Sequence, residues 1–149
     1  MAEGDGVIYN NFKHQVMEGE FDLLNDTIKV MLLNGYTPNI DTHTTKTEAI
    51  AGATGECAGT GYSAGGETLA GNAVTLDAAN DRGKFDATDL TWSGFLLTTP
   101  VSGIPSHAVM YDDTHASELL IAYWALGTTV TNGGDYTLQW GADGIILLT

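Results

Sequence analysis

The sequence predicts a mainly β protein: an antiparallel β-sandwich or barrel with one short N-terminal helix and a long Gly/Thr-rich loop. Three observations carry that expectation. Short runs of aliphatic, aromatic and β-branched residues recur through the second half of the chain. Turn-forming pieces separate them, among them Asn80-Asp81-Arg82-Gly83, Asp112-Asp113-Thr114 and Asn132-Gly133-Gly134. Helical spacing of apolar residues, by contrast, is clear only near the N-terminus. With 149 residues the chain is expected to form a single domain, 1–149, that buries about two thirds of its unfolded surface.

In chain order, residues 1–9 read as a possible extended arm. Asn10 to Met17 then fits a short helix, with Phe12 and Val16 at i, i+4 spacing, Asn10 or Asn11 as cap, and Gly19 as its end. Thr27 to Leu33 reads as a strand with Ile28, Val30 and Leu32 on one face and Lys29, Met31 and Leu33 on the other. Asn34-Gly35 opens a turn, and a longer loop containing Pro38 follows. From Ile40 to Gly66 periodicity fades, and three readings stay open: a contact loop ordered by assembly, a helical turn around Thr47 to Ala51, or disorder until a partner binds. Running past the end of this stretch, Gly59 to Gly71 is too rich in glycine and small side chains to bury a core. Further strands are expected at Thr68 to Leu76, Lys84 to Ser93, His107 to Tyr111, Leu119 to Leu126, Asp135 to Trp140 and Ile145 to Thr149. Leu90 and Trp92 share one strand face, as do Tyr136, Leu138 and Trp140. Pro100 and Pro105 bracket a loop or irregular edge.

Charge narrows the function. Nineteen acidic residues against five basic ones give a formal charge of −14. Lys13, Lys29, Lys46, Arg82 and Lys84 are too few and too scattered to form a phosphate-binding surface, so no nucleic-acid partner is expected. The acidity reads as solvation and mutual repulsion between free copies. The N-terminus is acidic and polar where a secretory signal would be basic and then apolar, and Leu119 to Leu126 falls well short of the roughly 20 residues that span a bilayer. No membrane association is expected, and the chain is expected to stay in the compartment where it is made.

The residue types that do chemistry are present but not arranged for it. Cys57 stands alone, so it forms no internal disulfide and no thiolate metal site, and its neighbours Glu56 and Ala58 offer no cation to lower its pKa, so no reactive thiol is expected. His14, His43, His107 and His115 show no metal-binding spacing. Asp77, Asp81, Asp86 and Asp89 crowd one span without the register of a calcium loop, and read as a charged hairpin followed by a half-exposed strand. No serine sits in a Gly-x-Ser-x-Gly elbow, and the glycines near Gly59 lack the lysine of a phosphate loop. Trp92, Trp124 and Trp140 read as core or interface residues, with a sugar platform as the alternative. Neither a catalytic residue nor a cofactor or metal is expected.

Several segments bear a resemblance. They are Ile8-Tyr-Asn-Asn-Phe-Lys13, Asp26-Thr-Ile-Lys-Val-Met-Leu-Leu33, Gly35-Tyr-Thr-Pro-Asn-Ile-Asp-Thr-His43, Gly59-Thr-Gly-Tyr62 with Ala64-Gly-Gly66, Phe85-Asp-Ala87 with Leu90-Thr-Trp-Ser93, and Asp143-Gly-Ile-Ile-Leu-Leu-Thr149. Together they resemble a family of small structural proteins of tailed bacteriophages, over nearly the whole chain and most weakly in Thr44 to Ala58 and Thr98 to Ser106. The resemblance implies a virion protein and suggests a head decoration, or cement, protein that binds the outside of an assembled capsid. Its partners would be the major capsid protein and neighbouring copies of itself, with a trimer favoured; it would be made in the host cytoplasm and end on the capsid exterior. The expected contact residues are Val7, Ile8 and Tyr9 of the arm and Gly59, Gly61, Tyr62, Gly65 and Gly66 of the glycine-rich loop. A tail tube, terminator or fibre-base subunit is the alternative within the virion, and a host-surface carbohydrate-binding module is the alternative outside that class.

Overall fold

The computed structural model describes residues 6–97, 104–127 and 132–149. A central antiparallel sheet runs in the order β1 (Val7–Ile8), β11 (Leu120–Ala125), β10 (His107–Asp112), β2 (Ile28–Asn34), β3 (Gly55–Glu56), with β5 (Glu67–Thr68) also on β2. Three smaller sheets complete the β structure. They are β13 (Ile146–Leu148), β7 (Arg82–Asp86) and β6 (Ala73–Asp77); β12 (Tyr136–Leu138) with β8 (Leu90–Trp92); and β4 (Gly59–Thr60) with β9 (Leu96–Leu97). Every pairing is antiparallel, and none of the four sheets closes on itself, so the barrel half of the expectation gives way to layered open sheets.

The central sheet is apolar on both faces, which explains why its inner strands read as nearly unbroken hydrophobic runs. Ile28, Val30 and Leu32 join Ala108, Met110 and Trp124 in one core, packed against Phe85, Trp92 and Leu138 of the smaller sheets, Phe95 between β8 and β9, and Phe12 of α1 (Asn10–Glu18). Met31, Leu33, Val109, Tyr111 and Leu120 face the other way, under Tyr36 and α2 (Lys46–Ala51). The alternation of β2 therefore serves two cores. Where Met110 pairs Ala122 and Tyr111 pairs Leu120, the register slips and Ile121 is extra, so Ile121 and Ala122 both enter the first core.

Local sequence accounts for the helices. Gly19 ends α1 in the left-handed region at φ +81°, as expected, while the N-cap position falls to Tyr9 without a side-chain bond. Helix α2 starts at a reciprocal capping box: the Thr45 side chain accepts from the Glu48 backbone N–H, and the Glu48 carboxylate accepts from the backbone N–H of Thr45. Of the three readings left open for Ile40 to Gly66, the helical turn is the one present, followed by the short strands β3 and β4.

Two expected strands are each split. Gly71, at φ +69°, separates β5 from β6, and the Thr88 N–H donates to Ala70 O at 2.8 Å where the chain passes from β7 to β8. Pro105 is buried ahead of β10, and Pro100 lies outside the described residues.

Candidate functional site

Of the expected arm, residues 1–5 lie outside the description and the remainder is woven into the sheet. Val7 and Ile8 pair with Tyr123 and Ala122, and the Tyr9 N–H donates to Ile121 O at 3.1 Å. Val7 is 39% exposed at this edge, whereas Tyr9 is fully enclosed. Tyr9 instead starts an internal relay, in which its hydroxyl meets that of Tyr36 at 2.7 Å and Tyr36 meets His43 Nδ1 at 2.8 Å. Because the Asn39 backbone N–H also donates to that nitrogen, Nδ1 is an acceptor, and the chain runs Tyr9 to Tyr36 to His43. Burial and the Tyr36 hydroxyl push the Tyr9 phenol well above its ordinary range, so it stays protonated.

The glycine-rich loop fills a gap along the edge of β2. The Cys57 N–H donates to Leu32 O, and ladder pairing resumes at Glu67 opposite Val30. Between those points the backbone leaves the edge to form β4 against Leu96 and Leu97 in the opposite layer. The Leu32 N–H would lose its ladder partner there, and the Tyr62 hydroxyl takes its place, accepting from Leu32 N at 2.9 Å and donating to Glu56 Oε1 at 2.7 Å. The same carboxylate oxygen accepts from Gly65 N at 2.6 Å, and Tyr111 donates to Gly65 O at 2.8 Å. Two glycines are dictated by close approach: at Gly59 a Cβ would strike the Leu96 carbonyl, and at Gly66 the Val30 carbonyl, both with positive φ. Gly61 likewise sits at φ +76° against the Ser93 carbonyl. Bonds within the chain thus occupy the loop expected to be ordered by contact with other molecules.

Single exposed apolar side chains such as Met17 and Leu24 are scattered, but three lie together on the three-stranded sheet. In the three-stranded sheet Val74 pairs Phe85, which pairs Ile146, and two rows further Leu76 pairs Gly83, which pairs Leu148. Paired residues share a face, and alternate rows share it too. Phe85 and Ile146 are buried, but Leu76 is 81% exposed, Val74 50% and Leu148 42%. The core-facing side of this sheet therefore continues past the edge of the core, and β6 ends its sheet without a further strand among those described. The sequence shows the alternation Val74-x-Leu76 before the turn at Asn80, but nothing in it tells that no layer covers those side chains.

The titratable groups serve the framework. Asp77 accepts from Asn80 and Arg82, both at 2.8 Å, which hold its carboxyl below the usual range. Asp86 pairs with Lys84 at 3.3 Å, Asp89 accepts from the Trp140 N–H, and Lys29 and Lys46 meet Asp113 and Glu118. Burial and the Glu56 carboxylate push the Cys57 thiol up to about 12, so at neutral pH it is a protonated core residue. Among the described residues no three His, Cys, Asp or Glu side chains converge on a point that could hold a metal ion. Asp112, a carboxylate with 1% exposure, accepts from the N–H groups of Thr114 and His115 and lies against the Asp26 carboxyl.

Of the three tryptophans, Trp92 and Trp124 are buried, while Trp140 is half-buried beside a groove at the edge strand β1. Compared with known protein families, with curated proteins and with solved structures, the chain matches none.

Proposed function

We propose that the chain is a structural subunit of a tailed-bacteriophage particle, a decoration protein that seats on the outer face of the assembled capsid and reinforces it. The observation that supports this most is the apolar row Val74, Leu76 and Leu148, held in the open by a hairpin in a chain of formal charge −14. An exposed row of three aliphatic side chains in an otherwise acidic protein favours adhesion. Its occupant in this reading is the shell and not a free second copy, because two chains of that charge repel at range. Burying a Leu or Val side chain contributes about 1.5–3 kcal/mol, so one partly exposed row gives weak attachment. Copies that touch on the shell would add avidity without new chemistry.

The resemblance to phage structural proteins supports the same reading from another side. Apart from Leu148 on β13, its segments fall on scaffold and core: α1, β2 and the loop after it, β7, β8, β13 and the loop stitched to β2. The exposed hairpin between Ala73 and Lys84 lies outside them.

Co-sedimentation with emptied capsids tests both parts. The native chain is expected to pellet with the capsids, and the variant Val74→Asp with Leu76→Asp to lose at least tenfold in affinity while unfolding at the same temperature. Undiminished binding by the double variant would remove the hairpin as the docking surface. Failure of the native chain to pellet would remove the decoration reading.

A further inference from the structure

We infer that the groove beside β1 is a binding site for one ring of a neutral saccharide, with Trp140 as its stacking surface and Asp143 as its hydroxyl acceptor. This goes beyond capsid attachment and stands independently of it.

The groove encloses about 410 Å³, within the roughly 300–1,000 Å³ common for small-molecule sites. Gly6 and Ile8, the buried Trp124 and Leu138, and Trp140 with the turn Gly141–Gly144 line it. The two indoles meet with centroids 5.1 Å apart and planes at 56°, which gives an angled aromatic corner. A Cβ at Gly6 would fall 2.5 Å from the Trp124 ring, so only glycine lets the strand lie flat on that indole and leave the space open.

Groups of β7 and of the connection from β7 to β8 fix the wall made by Trp140 and the turn. The Trp140 indole N–H donates to Thr88 O at 3.1 Å, and its backbone N–H donates to Asp89 Oδ1 at 2.9 Å. Arg82 Nη2 donates to Asp143 Oδ1 at 3.2 Å, and Lys84 Nζ reaches Ala142 O at 3.5 Å. The aliphatic stem of Lys84 lies across Gly144, at φ +106°, and leaves no room for a Cβ there. Two of the five basic residues of the chain thus hold one four-residue turn. The wall is fixed before any ligand arrives, which lowers the ordering cost of binding.

Chemistry selects the ligand class. An anion is disfavoured by the net charge and by Asp143 at the mouth, and both nearby cations are already paired, Arg82 with Asp77 and Asp143 and Lys84 with Asp86. A purely apolar ligand would leave polar wall groups without partners. A pyranose satisfies both surfaces: its C–H face lies on the indole, and its hydroxyls donate to the Asp143 carboxylate, which stays 78% exposed, and to backbone carbonyls of the turn.

The test is a titration of the full chain with maltotriose, cellotriose and chitotriose, followed by tryptophan emission and calorimetry. At least one is expected to bind saturably with a millimolar or tighter Kd, and both Trp140→Ala and Ala142→Trp are expected to weaken it about tenfold or more. Ala142 is exposed, so its replacement fills the groove without touching the core. Saturable binding by none of the three, or binding that survives both substitutions, would overturn the proposal.

Discussion

Replacing Asp112 by Asn is expected to stabilise the protein at neutral pH, because the native carboxylate is held where its charge is unfavourable. Asp112 is 1% exposed; one oxygen accepts from Thr114 at 2.8 Å and His115 at 3.2 Å, and the group faces the Asp26 carboxyl. Burial raises its pKa from the ordinary 3.8, the two N–H bonds pull it back, and Asp26 raises it again. A folded-state pKa above the unfolded one means that the folded chain holds the proton more tightly. That contribution to stability is complete below the ordinary carboxylate range and is lost as pH rises through the folded value. Asn keeps the shape and the acceptor for Thr114 and His115, and in place of Oδ2, which has no hydrogen-bond partner in the folded chain, it puts a donor that is expected to turn to the Asp26 carboxyl. One hydrogen bond to a charged acceptor contributes about 1.5–3 kcal/mol; with a weaker acceptor toward the two backbone N–H groups, a net gain of about 1–2 kcal/mol at pH 7 is expected. In a domain of this size that raises Tm by about 2–4 °C per kcal/mol. Urea unfolding of both proteins at pH 7 and pH 4 measures it, and comparison of the two cancels the relief of general self-repulsion that both gain in acid. A variant less stable at pH 7, or a difference between the two that does not shrink toward pH 4, would refute the reasoning.

Two further substitutions probe the loop on β2. Gly66→Ala combines a left-handed backbone, about 1–2 kcal/mol, with a collision against the Val30 carbonyl, so a loss of roughly 2–4 kcal/mol is expected in the same unfolding assay. Gly19→Ala has a similar φ and open space around it, so it should lose only the backbone part; equal losses at the two sites would contradict the steric account. Tyr62→Phe removes the hydroxyl that stands in for a ladder carbonyl and is expected to cost about 1–3 kcal/mol, with faster amide exchange at Leu32. Unchanged exchange there would mean that the hydroxyl is not its partner.

What the sequence makes legible follows from burial. Strands β2, β10 and β11 are apolar on both faces, so they stand out in any reading, and the two faces assigned to Ile28, Val30 and Leu32 against Met31 and Leu33 are those that enter the two cores. Helix α1 and its stop at Gly19 are equally plain. Helix α2 is less so, because its six residues leave room for little periodicity; the Thr45-x-x-Glu48 capping signature marks it better than hydrophobicity does. The split of Thr68 to Leu76 turns on Gly71, whose positive φ is a tertiary decision. Glycine composition alone suggests a loop free for partners, yet Gly59 and Gly66 are small because backbone passes against them. The groove is not legible at all, since Gly6, Trp124, Trp140 and Asp143 meet only through the topology.

The most direct test of the structural role is quantitative mass spectrometry of phage particles purified from infected cells. The account predicts this chain at a fixed ratio to the major capsid protein, retained through density-gradient purification. Particles that contain no such chain, or only traces that vary between preparations, would contradict it.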